Sequence, residues 1–247
     1  MAEPFIPKKI HYCWYGGQPL PSLAKRCLKS WKIHLADYEV KRWDENNTDL
    51  LSNQYVREAY QAGKYAFVSD YVRLKVLYEE GGIYMDTDVE LIKNLDTFLH
   101  HHAFCGFQNP TLISLGVIGS VRNHNFIRSI LDIYDCLRFV DEENHLDLTP
   151  NTVRITNYAV KKGLELNDKL QNFNDLTVYP SEYFCPKNYD EYYFNITKNT
   201  KALHHYAGSW YSPKTKWLMW FRIHIIKRFL PWIDTPLRKL YHRMANR

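Results

Sequence analysis

An α/β domain is the fold that this 247-residue sequence predicts, on three observations. Strand-like apolar segments alternate with helical patterns through the first half of the chain. Glycine pairs at 16–17 and 81–82 separate these segments sharply. With 45% hydrophobic and 24% charged residues, the composition is that of a folded protein long enough to bury a core without disulfide staples.

Taken in order, Lys8–Trp14 reads as a first strand, stopped by Gly16-Gly17. A helix started by Pro21 follows, to about His34, and then a second, alternating strand at Tyr38–Trp43. Helical patterns cover Gln54–Gln61 and Lys64–Glu80, and Gly81-Gly82 ends the second. Ile83–Met85 is a short apolar strand emptying into Asp86-Thr87-Asp88. Phe104–Phe107, Ser114–Ser120, Thr177–Tyr179 and Lys201–His205 read as further strands, and Asn125–Phe139 and Thr152–Lys162 as helices. There is no internal repeat and no Gly-, Ser- or Pro-rich linker. Five scattered cysteines without a C-x-x-C read as reduced thiols. The start MAEPFIPKKI lacks the apolar stretch of a secretory leader, and no apolar run approaches the ~20 residues of a membrane span. A peripheral cytosolic protein is therefore expected.

Four stretches could carry chemistry. The first is the strand that ends in Asp86 and Asp88. With this many aspartates a D-x-D is expected by chance, so it counts only because Gly-Gly and an apolar strand precede it. Two carboxylates at i, i+2 on a sheet edge can bind a hard divalent cation. The second is Ser69-Asp70-Tyr71-Val72-Arg73, where Asp70 and Arg73 are i, i+3 neighbours on a helix; alone, they also read as an ordinary surface ion pair. The third is His204-His205-Tyr206-Ala207-Gly208-Ser209-Trp210, with an imidazole for a metal and a hydroxyl and indole N–H for phosphate. The fourth is Tyr12-Cys13-Trp14-Tyr15-Gly16-Gly17, whose aromatics beside glycines suit a stacking platform as well as they suit a core.

Together, IPKKIHYCWYGG, AFVSDYVRLKVLYEEGGIYMDTDVEL and HHYAGSW resemble the DXD-containing glycosyltransferases of family 32, and are similar to the catalytic domains of clostridial glucosylating toxins. That family includes yeast-type initiating mannosyltransferases and bacterial capsule or exopolysaccharide enzymes. The resemblance frames about 200 residues. It implies a GT-A fold, a Rossmann-like nucleotide-sugar-binding sheet, here with a C-terminal helical extension. It also implies a retaining hexosyltransferase of surface polysaccharide synthesis that uses Mn²⁺ or Mg²⁺ and a nucleotide-sugar, a UDP-sugar first.

Carried over by residue, Trp14 stacks on the base with Tyr12 beside it, and Ser69 lies near ribose or base. Asp70 and Arg73 hold sugar hydroxyls. Asp86 meets ribose, sugar or metal-bound water, and Asp88 ligates the metal. His205 is the expected second ligand, with His204 the alternative. Ser209 and Trp210 reach the diphosphate or glycosidic oxygen. Two other readings compete: a phosphohydrolase with Asp86 as nucleophile, and a non-catalytic sugar-binding protein at a membrane.

Charge adds one more expectation. The net charge of +5 hides an uneven split, since 213–247 holds nine Lys/Arg against Asp234, whereas 1–212 holds 23 basic and 26 acidic residues. The division expected is a catalytic domain over 1–212 and a basic amphipathic helical tail over 213–247. Trp217, Phe221, Phe229, Leu237, Leu240 and Tyr241 supply the tail's apolar side. The partner expected for it is an anionic membrane rather than nucleic acid, which places the protein on the inner face of the cell membrane beside a lipid-linked glycan acceptor.

Overall fold

The computed structural model describes residues 6–187 and 193–208, together with 217, 218 and 221. The strands are β1 (Lys9–Cys13), β2 (Glu39–Trp43), β3 (Gly82–Met85), β4 (Val89–Leu91), β5 (Ala103–Asn109), β6 (Leu112–Ser120), β7 (Gln171–Phe173), β8 (Leu176–Tyr179) and β9 (Ala202–His204). The helices are α1 (Ser22–His34), α2 (Gln54–Gln61), α3 (Tyr65–Glu80), α4 (Asn125–Asp135) and α5 (Asn151–Lys161), with short 3₁₀ turns at Asp96–Phe98 and Ser181–Tyr183. Seven strands form one mixed sheet in the order β2-β1-β3-β6-β5-β8-β7, and β4 pairs with β9 as a separate ribbon.

This is the expected α/β architecture. β1 pairs in parallel with β2 on one side and β3 on the other. The chain therefore leaves β1 in one direction and returns on its opposite flank, a topological switch point. Ligands of α/β sheets sit outside the strand C-termini at such a point. Trp14 follows the end of β1 and Asp86 the end of β3, so both emerge at one edge of the sheet.

Side-chain alternation makes the sheet a middle layer. Along β3, Ile83 and Met85 join a core with Ile10, Trp31 of α1 and Phe98, while Tyr84 joins one with Val68, Val72 and Val76 of α3. Both faces are buried, as a sheet flanked by crossover helices requires. The α3–β3 turn shows why two glycines are needed there. Gly81 and Gly82 have φ of +67° and +109°, and a Cβ on Gly82 would lie 2.9 Å from the Lys9 carbonyl oxygen and 3.0 Å from His11 Nε2. His11 fills the space that they leave. Its Nδ1 accepts from Trp43 Nε1 at 3.1 Å, so its Nε2 carries the proton and donates to the Gly81 carbonyl at 2.8 Å. Burial lowers the His11 pKa and keeps the ring neutral.

Three elements depart from the sequence reading. α4 ends at Asp135 rather than running to Phe139. The half-buried Glu58 carboxylate of α2 accepts the backbone N–H groups of Phe139 and Val140 at 2.8 and 3.0 Å and draws the chain off the helix axis. β4 and β7 were not expected, and each has only three residues. The five cysteines are free. The 212/213 boundary and almost all of the helical tail lie outside the described residues.

Glu58 also receives Arg138 Nε at 2.7 Å. Burial raises its pKa, but these donors outweigh that effect and leave it below the usual value. Its contribution to stability is therefore present above the unfolded-state pKa and lost as pH falls through the folded-state pKa. Glu58→Ala, which orphans two backbone donors, is expected to cost about 1–3 kcal/mol in urea unfolding at pH 7. The difference from wild type should shrink as the titration is repeated toward pH 3.

Candidate metal and sugar-nucleotide site

The site is built on a buried guanidinium. α3 lies over β1, β3 and β6, and Arg73 projects from it into the junction of these strands. Arg73 Nε donates to the Ser69 carbonyl at 3.2 Å, Nη1 to the Leu115 carbonyl at 3.0 Å, and Nη2 to Asp70 Oδ1 at 2.9 Å. Nη1 also lies 3.2 Å from Asp86 Oδ1, and the guanidinium stacks 4.6 Å above the Tyr84 ring. With most of its N–H groups engaged in the protein, Arg73 braces two carboxylates more than it offers donors to a ligand. The i, i+3 pair that could have been a surface ion pair is buried.

Asp70 is held from a second side. Asn151, the first residue of α5, donates from Nδ2 to the same Oδ1 at 2.6 Å. Burial pushes the Asp70 carboxyl up to about 7 against the attraction of Arg73. With Oδ1 taken twice, Oδ2 is the oxygen left to accept from a ligand. Asp86 is oriented by the Tyr84 hydroxyl at 3.1 Å and by its own N–H on the Gly116 carbonyl at 2.9 Å. Tyr84, Asn151 and Gly116 were not singled out as site residues by the sequence reading. Tyr84 was in view inside the G-G-x-Y run, whereas Asn151 and Gly116 carry no local signal.

Asp88 is positioned by the ribbon. β4 pairs antiparallel with β9 in the register Val89↔His204, and the His205 N–H closes onto the Asp88 carbonyl at 3.0 Å. Tyr206 then adopts a left-handed φ of +53°, and the Ala207 N–H meets Asp88 Oδ2 at 2.7 Å. His204 Nε2 lies 3.4 Å from Asp88 Oδ1. Burial would raise the Asp88 pKa, but His204 and the Ala207 N–H outweigh it and hold the carboxyl at about 2. Burial opposes protonation of His204, yet Asp88 raises its pKa well above the usual value.

Among the described residues, Asp86, Asp88 and His204 form a group whose ligand atoms all lie within 4.8 Å of one another. Two carboxylates and an imidazole are a donor set for a small divalent ion of the Mn²⁺ type, so these residues fit the expected cofactor. The structure brings His204 to this group rather than the expected His205. Neighbouring residues of a strand point to opposite faces, and His205 turns away to Glu90 at 2.8 Å, next to Arg26. The structure also corrects Tyr12. Its side chain is 8% exposed and packs edge-on against Trp31 in the core instead of facing a ligand.

Trp14 is half-buried at the sheet edge, with Nε1 bonded to the Gln18 carbonyl at 2.6 Å. Ser69 Oγ donates to the Tyr65 carbonyl at 3.1 Å, and the Tyr65 ring lies across Gly16, where any Cβ would come within 2.4 Å of it. Ser209 and Trp210 lie outside the described residues.

Comparison with known proteins agrees with this geometry. Residues 21–105, which include Asp70, Arg73, Asp86 and Asp88, match the model of a glycosyltransferase sugar-binding region containing a DXD motif. Over these residues the chain is similar to the DXD glycosyltransferases. The chain is 32% identical over 130 residues to inositol phosphoceramide mannosyltransferase 3 of Schizosaccharomyces pombe, covering 51% of this chain and 36% of that protein. The chain thus spans little more than a third of that relative. An uncharacterized glycosyltransferase of Acanthamoeba polyphaga mimivirus is 27% identical over 206 residues, covering 74% of each chain. Among solved structures, the PaToxG glycosyltransferase superposes with a TM-score of 0.42 at 22% identity, covering 53% of this chain and 59% of that one.

Within the family region and its surroundings, Gly116 is the most exposed to test. A Cβ there would lie 2.9 Å from His204 Cε1 and 3.3 Å from Asp86 Oδ2. Gly116→Ala is expected to push the imidazole off the two aspartates. Mn²⁺ affinity measured by EPR titration should fall at least tenfold, with an overpacking cost in thermal unfolding of about 1–3 kcal/mol.

Proposed function

We propose that the chain is a metal-dependent, retaining glycosyltransferase that moves a hexose from a nucleotide-sugar to a glycan acceptor. The observation that carries this reading is the convergence of Asp86, Asp88 and His204 at the switch point of the sheet, beside Asp70 and Arg73. A UDP-hexose is the donor proposed, and surface polysaccharide synthesis the setting. The name of the fission-yeast relative, an inositol phosphoceramide mannosyltransferase, supports a hexose as the group moved and a lipid-linked acceptor.

The chemistry follows from charge. A divalent cation on Asp86, Asp88 and His204 would offset the negative charge that develops on a diphosphate leaving group. Asp70, fixed through Oδ1, presents Oδ2 to a sugar hydroxyl and so orients the ring. Arg73 keeps the Asp70 and Asp86 carboxylates apart and correctly aimed. The acceptor hydroxyl then attacks from the face that the phosphate leaves, and the departing phosphate oxygen takes its proton. Asp86, held by Arg73 and Tyr84 within the cation group, is a poor fit to the nucleophile of a phosphohydrolase.

The basic tail supports a place at the cytoplasmic face of the membrane. Of its described residues, Trp217 is 60% exposed, and Trp217 and Phe221 stack at 5.5 Å, a pair of aromatic rings available to a lipid interface. No helix among the described residues is long and apolar enough to cross a membrane.

The test of the activity is donor hydrolysis and transfer across a panel of UDP- and GDP-hexoses, with Mn²⁺ or with a chelator. Turnover is expected only with metal. Asp88→Ala should lower it by about 100-fold or more, the scale of losing one preorganised charge-stabilising group. Full turnover in chelator, or a trapped covalent glycosyl adduct, would sink the metal-dependent front-face reading. For the tail, removal of 213–247 should abolish sedimentation with anionic phosphatidylserine vesicles while donor affinity stays within about twofold; at up to about 1 kcal/mol per Lys or Arg, nine basic residues dominate such binding.

A further inference from the structure

The imidazole of His204 sits in a cage that the proposed chemistry leaves unused. One face stacks on the Tyr206 ring, with centroids 4.2 Å apart and planes 25° from parallel. The Cε1–Nδ1 edge lies against Gly116, so closely that a Cβ there would be 2.9–3.0 Å from it. Nδ1 itself faces the sulfur of Cys185 at 3.9 Å. Cys185 is buried, and its N–H is tied to the Ser181 carbonyl at 2.7 Å. The main chain that carries the sulfur is therefore fixed beside the imidazole.

We propose that Cys185 is a positioning residue for the cation site, its sulfur accepting the Nδ1–H of His204 so that the Nε2 lone pair points at the ion. The proposal rests on the reading of Asp86, Asp88 and His204 as that site. Binding a cation through Nε2 displaces the proton from that nitrogen and leaves one N–H, and the group behind the ring decides which nitrogen keeps it. Here Nε2 is on the side of Asp88, and the thiol is behind. A carboxylate or carbonyl is the usual group in that position. Here a sulfur takes that place. Tyr206 and Gly116 complete the device by fixing the plane of the ring.

Cys185→Ala in the full chain is expected to weaken Mn²⁺ binding in an EPR titration by about 10–100-fold, the usual cost of losing the partner behind a metal-bound histidine. Cys185→Ser, which keeps a hydrogen-bonding atom of similar size, should recover most of that loss. NMR of wild type loaded with Zn²⁺ should find the His204 proton on Nδ1. Unchanged Mn²⁺ affinity in folded Cys185→Ala, serine no better than alanine, or the proton on Nε2 would each overturn the proposal. The Zn²⁺ measurement decides the question even where the alanine variant does not fold. Were Asp88→Ala to leave Mn²⁺ affinity unchanged, the fault would lie in the cation site and not in the role of Cys185.

Discussion

The buried guanidinium of Arg73 is the interaction on which the rest of the site depends. An arginine taken out of water is tolerated only when its charge is matched and its N–H groups are bonded. Arg73 meets both conditions with two carboxylates, two main-chain carbonyls and the face of Tyr84. Those partners come from α3, β3 and β6, so one side chain pins three elements at a single point. Without it, Asp70 and Asp86 would lose the guanidinium that both of them touch.

The fold delivers partners to that point by simple means. Parallel pairing of β1 with both β2 and β3 opens a cleft at the strand ends. The tight Gly81-Gly82 turn makes α3 and β3 adjacent, so that residues 69–73 of the helix and 86–88 beyond the strand share one end of the sheet. The ribbon of β4 and β9 then brings His204 beside the two aspartates.

Most of this was legible in the sequence wherever the site is local. Asp70, Arg73, Asp86 and Asp88 lie on one helix–turn–strand unit, and their spacing alone places them together. Long-range register is where the reading failed. His204 and His205 are adjacent and chemically alike, and the choice between them depends on the pairing of β4, a strand too short to show a period. Tyr12 was misplaced for a related reason. Alternation along β1 assigns it a face, but only packing against Trp31 shows that this face is core. Asn151, Gly116 and Cys185 reach the site from distant segments with no motif around them, and α4 stops early because of a carboxylate on another helix.

The β4–β9 ribbon also sets an order of events during synthesis. Both aspartates and their bracing arginine belong to the region shared with the family, residues 21–105, but the imidazole arrives only with β9. A nascent chain that has completed the matched block carries the helix–turn–strand unit but still lacks the imidazole of the Asp86, Asp88 and His204 group. The group of Asp86, Asp88 and His204 is complete only after the ribosome has released His204 and the late strand has closed on β4. The matched block is therefore a recognisable module of sequence without being a complete module of chemistry.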